Sequence, residues 1–187
     1  CYGHPQVQTP NLDALAEDGV LFTQFYVCSG VCSPSRAAFM TGRFPAHWGI
    51  HGHFADHEHN ARRGMPNWLD PSVTTYTRLL QQQGYAVGHF GKWHLGDNYP
   101  YRPEDRGFET SLVHGGGVVG EAPDYWGNDY YNDTYLRNGK LEKQKGYCTD
   151  VWFREAAKFV KERGDQPFFL YLPTNAPHNP FNVPARY

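Results

Sequence analysis

At 187 residues the chain is long enough for one sizeable hydrophobic core and not obviously for two. Its 40% hydrophobic and 16% aromatic content excludes intrinsic disorder, and a formal charge of -2 gives no electrostatic footprint for nucleic acid or a membrane surface. No apolar run is long enough to span a bilayer, and the four cysteines (Cys1, Cys28, Cys32, Cys148) contain no Cys-x-x-Cys pair, so they define neither a zinc site nor a disulfide framework. With Cys1 where a Met would stand and Tyr187 just after a Pro-rich loop, the chain reads as an internal fragment.

The first unit opens at Thr9-Pro10-Asn11-Leu12, with Thr9 placed to cap a helix and Pro10 at its first position. Leu12, Leu15 and Ala16 give that helix an apolar face and Gly19 stops it. The apolar run 20–27 then reads as a buried strand ending in Cys28-Ser29-Gly30. Pro34, Ala37, Ala38, Phe39 and Met40 begin and continue a second helix, which Gly42 ends in the left-handed conformation. Cys32 thus sits at a helix N-terminus, where unpaired N–H groups and the dipole favour an anion, and Arg36 follows one turn later on the same face. Position by itself suits either a small thiol packed beside Cys28 or a thiol biased toward chemistry.

The second unit is a helix over 74–83 with Leu79 and Leu80 inward, then a strand over 85–90 running into Gly91-Lys92-Trp93-His94-Leu95-Gly96. If that segment stays extended, Lys92 and His94 point to one side. The third unit is a helix capped by Thr149 or Asp150 and running through Arg163, followed by the strand 167–172. The unbroken apolar character of that strand suits a sheet covered on both faces. It leads to Ala176-Pro177-His178. Three helix–strand units predict an α/β fold, a mainly parallel sheet flanked by helices, with ligands beyond the carboxyl ends of the strands. The loops carrying Cys32, Lys92 with His94, and His178 should therefore meet in one crevice.

Two long stretches, 45–70 and 107–146, read as irregular. The first holds His47, His51, His53, His57 and His59. Two of its pairs are four residues apart, but Pro45, Gly49 and Gly52 argue against a shared helical face, so these are read as loop or rim residues and not as metal ligands. The second holds Tyr125-Trp126-Gly127-Asn128-Asp129-Tyr130-Tyr131, an aromatic cluster that suits packing or stacking on a sugar.

Cys32-Ser33-Pro34-Ser35-Arg36 with Thr41-Gly42-Arg43 resembles the signature of type I sulfatases, and Gly91-Lys92-Trp93-His94-Leu95-Gly96 resembles their second signature. Ala176-Pro177-His178 is similar to the loop that carries the family's leaving-group His. The segment from Cys1 to Pro5 and Thr9-Pro10-Asn11-Leu12-Asp13 resembles the stretch after the family's first metal-binding strand. The resemblance implies an alkaline-phosphatase-like fold, incomplete here, with residues 1–187 a partial sulfatase catalytic domain truncated at both ends. It implies that a maturation enzyme oxidises Cys32 to formylglycine, that Arg36, Lys92, His94 and His178 act with it, and that the substrate is a sulfated carbohydrate or aryl ester. It also implies one calcium, sometimes magnesium, held by formylglycine at position 32 and by Asp and Asn/His pairs outside the chain, so the isolated fragment should be inactive. Export to the periplasm or the cell exterior is expected on the same ground. Two alternatives stay open: a phosphonate or phosphate ester hydrolase of the same superfamily, and a non-catalytic binder of sulfated glycans.

Overall fold

A computed structural model describes residues 2–187; Cys1 lies outside the described residues, and with it the start of the N-terminal segment. The centre of the fold is β1 (Ala86–Lys92), whose seven residues are all buried. It pairs in parallel with β2 (Thr110–His114) on one side and β5 (Phe168–Tyr171) on the other. The hairpin of β3 (Thr134–Arg137) and β4 (Lys140–Lys143) then extends the sheet antiparallel from β2, giving the order β4-β3-β2-β1-β5.

Alternation along β1 splits the core in two. Ala86 and Phe90 face α5 (Cys148–Lys161), where Leu112, Tyr135, Trp152, Ala156 and Phe159 complete one layer. Gly88 is the point of closest approach: a Cβ there would stand 2.9 Å from the Phe159 ring. Val87 faces the opposite side, where Ala37 and Met40 of α2 (Cys32–Thr41) pack with Ile50, Leu69, Trp93, Leu95 and Phe108. The short helices α3 (His57–Arg62) and α4 (Tyr76–Gln82) flank this second layer. Helices on both faces of a mainly parallel sheet are the expected fold class. No helix among the described residues is long and apolar enough to cross a membrane.

Several expectations are corrected. Residues 20–27 form no strand; Val20 is 75% exposed, and Phe25, Tyr26 and Val27 line the cleft described below. An apolar run becomes a strand only where another strand offers it a hydrogen-bonding edge, and none does so here among the described residues. The helix α1 (Pro10–Asp18) has Thr9 as its cap and Pro10 in its first turn, yet Leu12 and Leu15 stay exposed. Leu79 of α4 is exposed rather than inward. The 107–146 stretch holds three strands that its many Gly and Asn turn residues concealed, and the His-rich stretch holds α3, capped by Asp56. Helix α5 begins two or three residues earlier than expected, with Tyr147 as its cap in place of Thr149 or Asp150, and it ends at Lys161 and not at Arg163. Strand β5 lies at the sheet edge with part-exposed side chains, so its apolar run is not that of a strand covered on both faces. Cys28, Cys32 and Cys148 are free thiols, and burial pushes that of Cys148 up to about 12.

Three imidazoles are buried in this frame: His89 on β1, His94 after it and His114 at the end of β2. His89 is surrounded edge-on by the rings of Trp93, Phe108 and Tyr171 at 5.1–5.6 Å, and neither ring nitrogen has a well-formed hydrogen bond among the described residues. Burial drives His89 and His94 down to about 3 and His114 to about 4, all below the ordinary value of 6.5. As pH falls the unfolded chain takes up these protons first, so stability is full above about pH 7 and is lost from about 6.5 downward. The expected slope is up to about 1.4 kcal/mol per pH unit for each imidazole. Urea midpoints measured from about pH 8 to about pH 5 should drop accordingly, and His89→Phe should flatten the drop by removing an unpaired polar ring. Identical midpoints across that range would refute this account.

Candidate active site

Helix α2 begins at Cys32, with Val31 as cap in an extended conformation, so residue 32 presents its side chain among the free N–H groups of the first turn. Gly42 closes the helix at φ 66°, as its sequence position implies. Cys32 is half-buried and lines a cleft of about 1920 Å³ together with Arg36, Lys92, His94 and His178. All five candidate residues therefore reach one cavity at the carboxyl end of the parallel strands, where such sheets bind ligands.

The two cations are held without acidic partners. Arg36 Nη1 donates to the Lys92 carbonyl at 2.6 Å and to the Tyr171 hydroxyl at 3.4 Å, which ties α2 to the ends of β1 and β5. Lys92 is only 4% exposed. Burial and the adjacent Arg36 lower its pKa, while Cys32 and Glu121 oppose that shift. Neither Arg36 nor Lys92 forms an ion pair among the described residues, so the wall they make is an electrostatic vacancy suited to an anion.

His94 reaches the cleft in an unexpected way. The segment after Lys92 is not extended; His94 itself is left-handed at φ 59°. Its Nε2–H donates to the Phe54 carbonyl at 3.0 Å, and the Phe54 N–H donates in turn to Ser33 Oγ at 3.0 Å. One residue thus links the Cys32–Arg36 segment of α2 to the His94 ring. With Nε2 engaged and Lys92 beside it, the imidazole is neutral and Nδ1 keeps its lone pair, which has no partner among the described residues. Gly117 closes the other side: a Cβ there would lie 2.7 Å from His94 Cε1.

The comparisons with known proteins fit this geometry. The family model described as Sulfatase matches residues 1–187. The chain belongs to the sulfatase family. It is 37% identical to the uncharacterised sulfatase YdeN of Escherichia coli K12 and 34% identical to N-acetylgalactosamine-6-sulfatase of Homo sapiens, over 96% of its length in each case. It covers 34% and 36% of those two proteins, so the chain spans about a third of the length of the curated relatives it matches. A solved structure of BT4656 in complex with its substrate D-glucosamine-2-N,6-O-disulfate matches with a TM-score of 0.72 and 31% identity, covering 96% of this chain and 31% of that one. The fold is accordingly the alkaline-phosphatase-like one of the sulfatases, in part.

The remaining sulfatase motif, Ala176-Pro177-His178, is oriented by a network that sequence reasoning missed. Trp152 Nε1 donates to Asn175 Oδ1 at 2.9 Å, Asn175 Nδ2 donates to His114 Nε2 at 2.9 Å, and His114 Nδ1 donates to the Gly115 carbonyl at 2.7 Å. These buried bonds pin the root of the His178 loop to α5 and β2. His178 itself is exposed, with Nδ1 donating to the Asn179 carbonyl at 2.7 Å. Phe54 carried no signal because its hydrogen bonds use backbone atoms and its ring, edge-on to the His94 ring at 6.4 Å, reads in sequence as one more core aromatic, whereas the apolar run before Asn175 marked a strand end. The metal implied by the resemblance finds no site here: among the described residues no three His, Cys, Asp or Glu side chains converge on a common point. The described residues by themselves do not make a calcium site.

Gly117→Ala should push the His94 ring off the Phe54 carbonyl. The expected outcome is a changed Nε2–H resonance of His94 in nitrogen-15 spectra and a loss of roughly 1–3 kcal/mol in urea unfolding. An unaltered His94 signal would show that the ring is not seated by Gly117.

Proposed function

We propose that this chain is the part of a sulfatase catalytic domain that carries the nucleophile and the sulfate-binding cations, and that the enzyme hydrolyses a sulfate ester of a carbohydrate or aryl alcohol. The observation that carries this reading is the pair of cations, the buried Lys92 and the half-buried Arg36, which line the cleft with Cys32 and form no ion pair among the described residues. A sulfate ester supplies the missing negative charge. The names of the relatives, two of them acting on 6-sulfated amino sugars, support a sulfated sugar as the substrate class.

Cys32 fits conversion to formylglycine: it lies in a Cys-x-Pro-x-Arg sequence, at a helix N-terminus, on the cleft wall. Once formed, that residue supplies a hydrated aldehyde as an oxygen nucleophile for sulfur. The side chains around it divide the other tasks. Arg36 and Lys92 hold the sulfate oxygens and stabilise the charge that builds on them. His94, neutral with its Nε2 proton committed to Phe54, accepts at Nδ1 the proton of the second hydroxyl at position 32 as the bond from that carbon to the sulfate oxygen breaks, which releases sulfate and restores the aldehyde. His178, with Nδ1–H directed at the Asn179 carbonyl, holds at Nε2 the proton that passes to the departing alcohol.

After co-expression with a formylglycine-generating enzyme, the tryptic peptide ending at Arg36 should show sulfur and two hydrogens replaced by one oxygen at Cys32. In the full-length enzyme so matured, Cys32→Ala should abolish turnover, and Lys92→Ala should lower kcat/KM by roughly 10²–10³. An unmodified thiol, beside a control peptide that is converted, would exclude the formylglycine mechanism and leave a binder of sulfated glycans. A phosphate analogue turned over faster than the sulfate ester would reassign the enzyme to phosphoryl chemistry.

A further inference from the structure

The aromatic cluster that the sequence offers for sugar stacking does not reach the cleft: Trp126 is 95% exposed and stands outside its lining. Another aromatic takes that place. Trp68 lines the cleft beside His57 and Asn67, while Asp97 and Asn98 line it from the loop after His94. Trp68 is backed by Tyr101, stacked at 4.5 Å with an interplanar angle of 22°, and meets the His57 ring edge-on at 5.9 Å.

This aromatic wall is tied to the segment between Lys92 and Gly96. The Leu69 N–H donates to the Leu95 carbonyl at 3.0 Å, and Trp93 Nε1 donates to the Tyr101 carbonyl at 2.8 Å. Gly96 fits between the two rings' stems, where a Cβ would stand 2.4 Å from Tyr101 Cβ and 3.1 Å from Trp68 Cβ. The platform is therefore fixed relative to Lys92 and His94, so a group bound on it is held in register with a sulfate bound to the cations. Polar groups complete it. Asn67 Oδ1 accepts from Asn60 at 2.8 Å, which leaves the Asn67 amide N–H groups for a ligand. Asp97 Oδ1 accepts from the Gly116 N–H at 2.8 Å, which leaves Oδ2 as a further acceptor. An aromatic surface next to a fixed amide donor and a carboxylate acceptor matches a pyranose, with its C–H face and its hydroxyl edge. An aryl leaving group would use the first feature and leave the others unsatisfied.

We propose that Trp68, with Asn67 and Asp97, forms a saccharide subsite that sets this cleft's preference for a sulfated pyranose over an aryl sulfate. The inference rests on the sulfatase reading above. It is tested in the matured enzyme by comparing kcat/KM for a 6-O-sulfated hexosamine with that for 4-nitrophenyl sulfate. Trp68→Ala should lower the ratio of the two by roughly tenfold or more, and Trp68→Phe should restore most of it. An unchanged ratio in Trp68→Ala would overturn the subsite. If the unsubstituted enzyme turns over neither compound, the sulfatase reading fails instead. Calorimetric binding of the same hexosamine sulfate then decides the subsite: weakening in Trp68→Ala supports it, and equal binding overturns it.

Discussion

Two cations, Arg36 and Lys92, are held next to each other in a half-dry wall, and neither forms an ion pair among the described residues. Burying like charges together is costly, and the fold meets that cost with backbone and hydroxyl oxygens in place of carboxylates. Arg36 is anchored through the Lys92 carbonyl and the Tyr171 hydroxyl, so its positive charge is oriented and not cancelled. The N-terminus of α2 adds its partial positive charge at Cys32.

The same requirement explains the state of the histidines. An imidazolium next to Lys92 and Arg36 would add a third buried positive charge, and both burial and that proximity keep His94 neutral. Its Nε2 proton goes to Phe54, and Phe54 is fixed by Ser33 within the motif that carries Cys32. A neutral ring with a known tautomer can accept a proton, which a ring held as a cation cannot. His114 is neutral for the same reasons, and its two nitrogens are both used, toward Gly115 and Asn175. It therefore serves to hold the loop of His178 and not to exchange protons with a ligand.

The end of the cleft that carries Arg36 and Lys92 is joined to β1, α2 and β5 through hydrogen bonds, and the aromatic wall at Trp68 is joined to the same segment through Leu95 and Trp93. Three imidazoles held neutral by burial are packed into the layers that hold the site.

The sequence by itself determined the family motifs and their coarse placement. Cys32-Ser33-Pro34-Ser35-Arg36 and Lys92-Trp93-His94 were legible because residue type and short spacing are local properties, and the helix stops at Gly42 and Gly84 and the central strand, expected over 85–90 and found over 86–92, are written in local pattern as well. Convergence of Cys32, Lys92, His94 and His178 followed from the rule that parallel strands deliver their loops to one end. Only the tertiary structure decided the rest. Residues 20–27 have the composition of a strand, but a strand requires a partner edge, which composition does not record. Phe54 holds His94 through backbone atoms that every residue possesses and through an edge-on ring contact that only the tertiary fold creates, so nothing local could announce it. Trp68 and Trp126 look alike in sequence; one faces the cleft and the other faces solvent, because contacts from Tyr101 and Gly96 hold only the first in place.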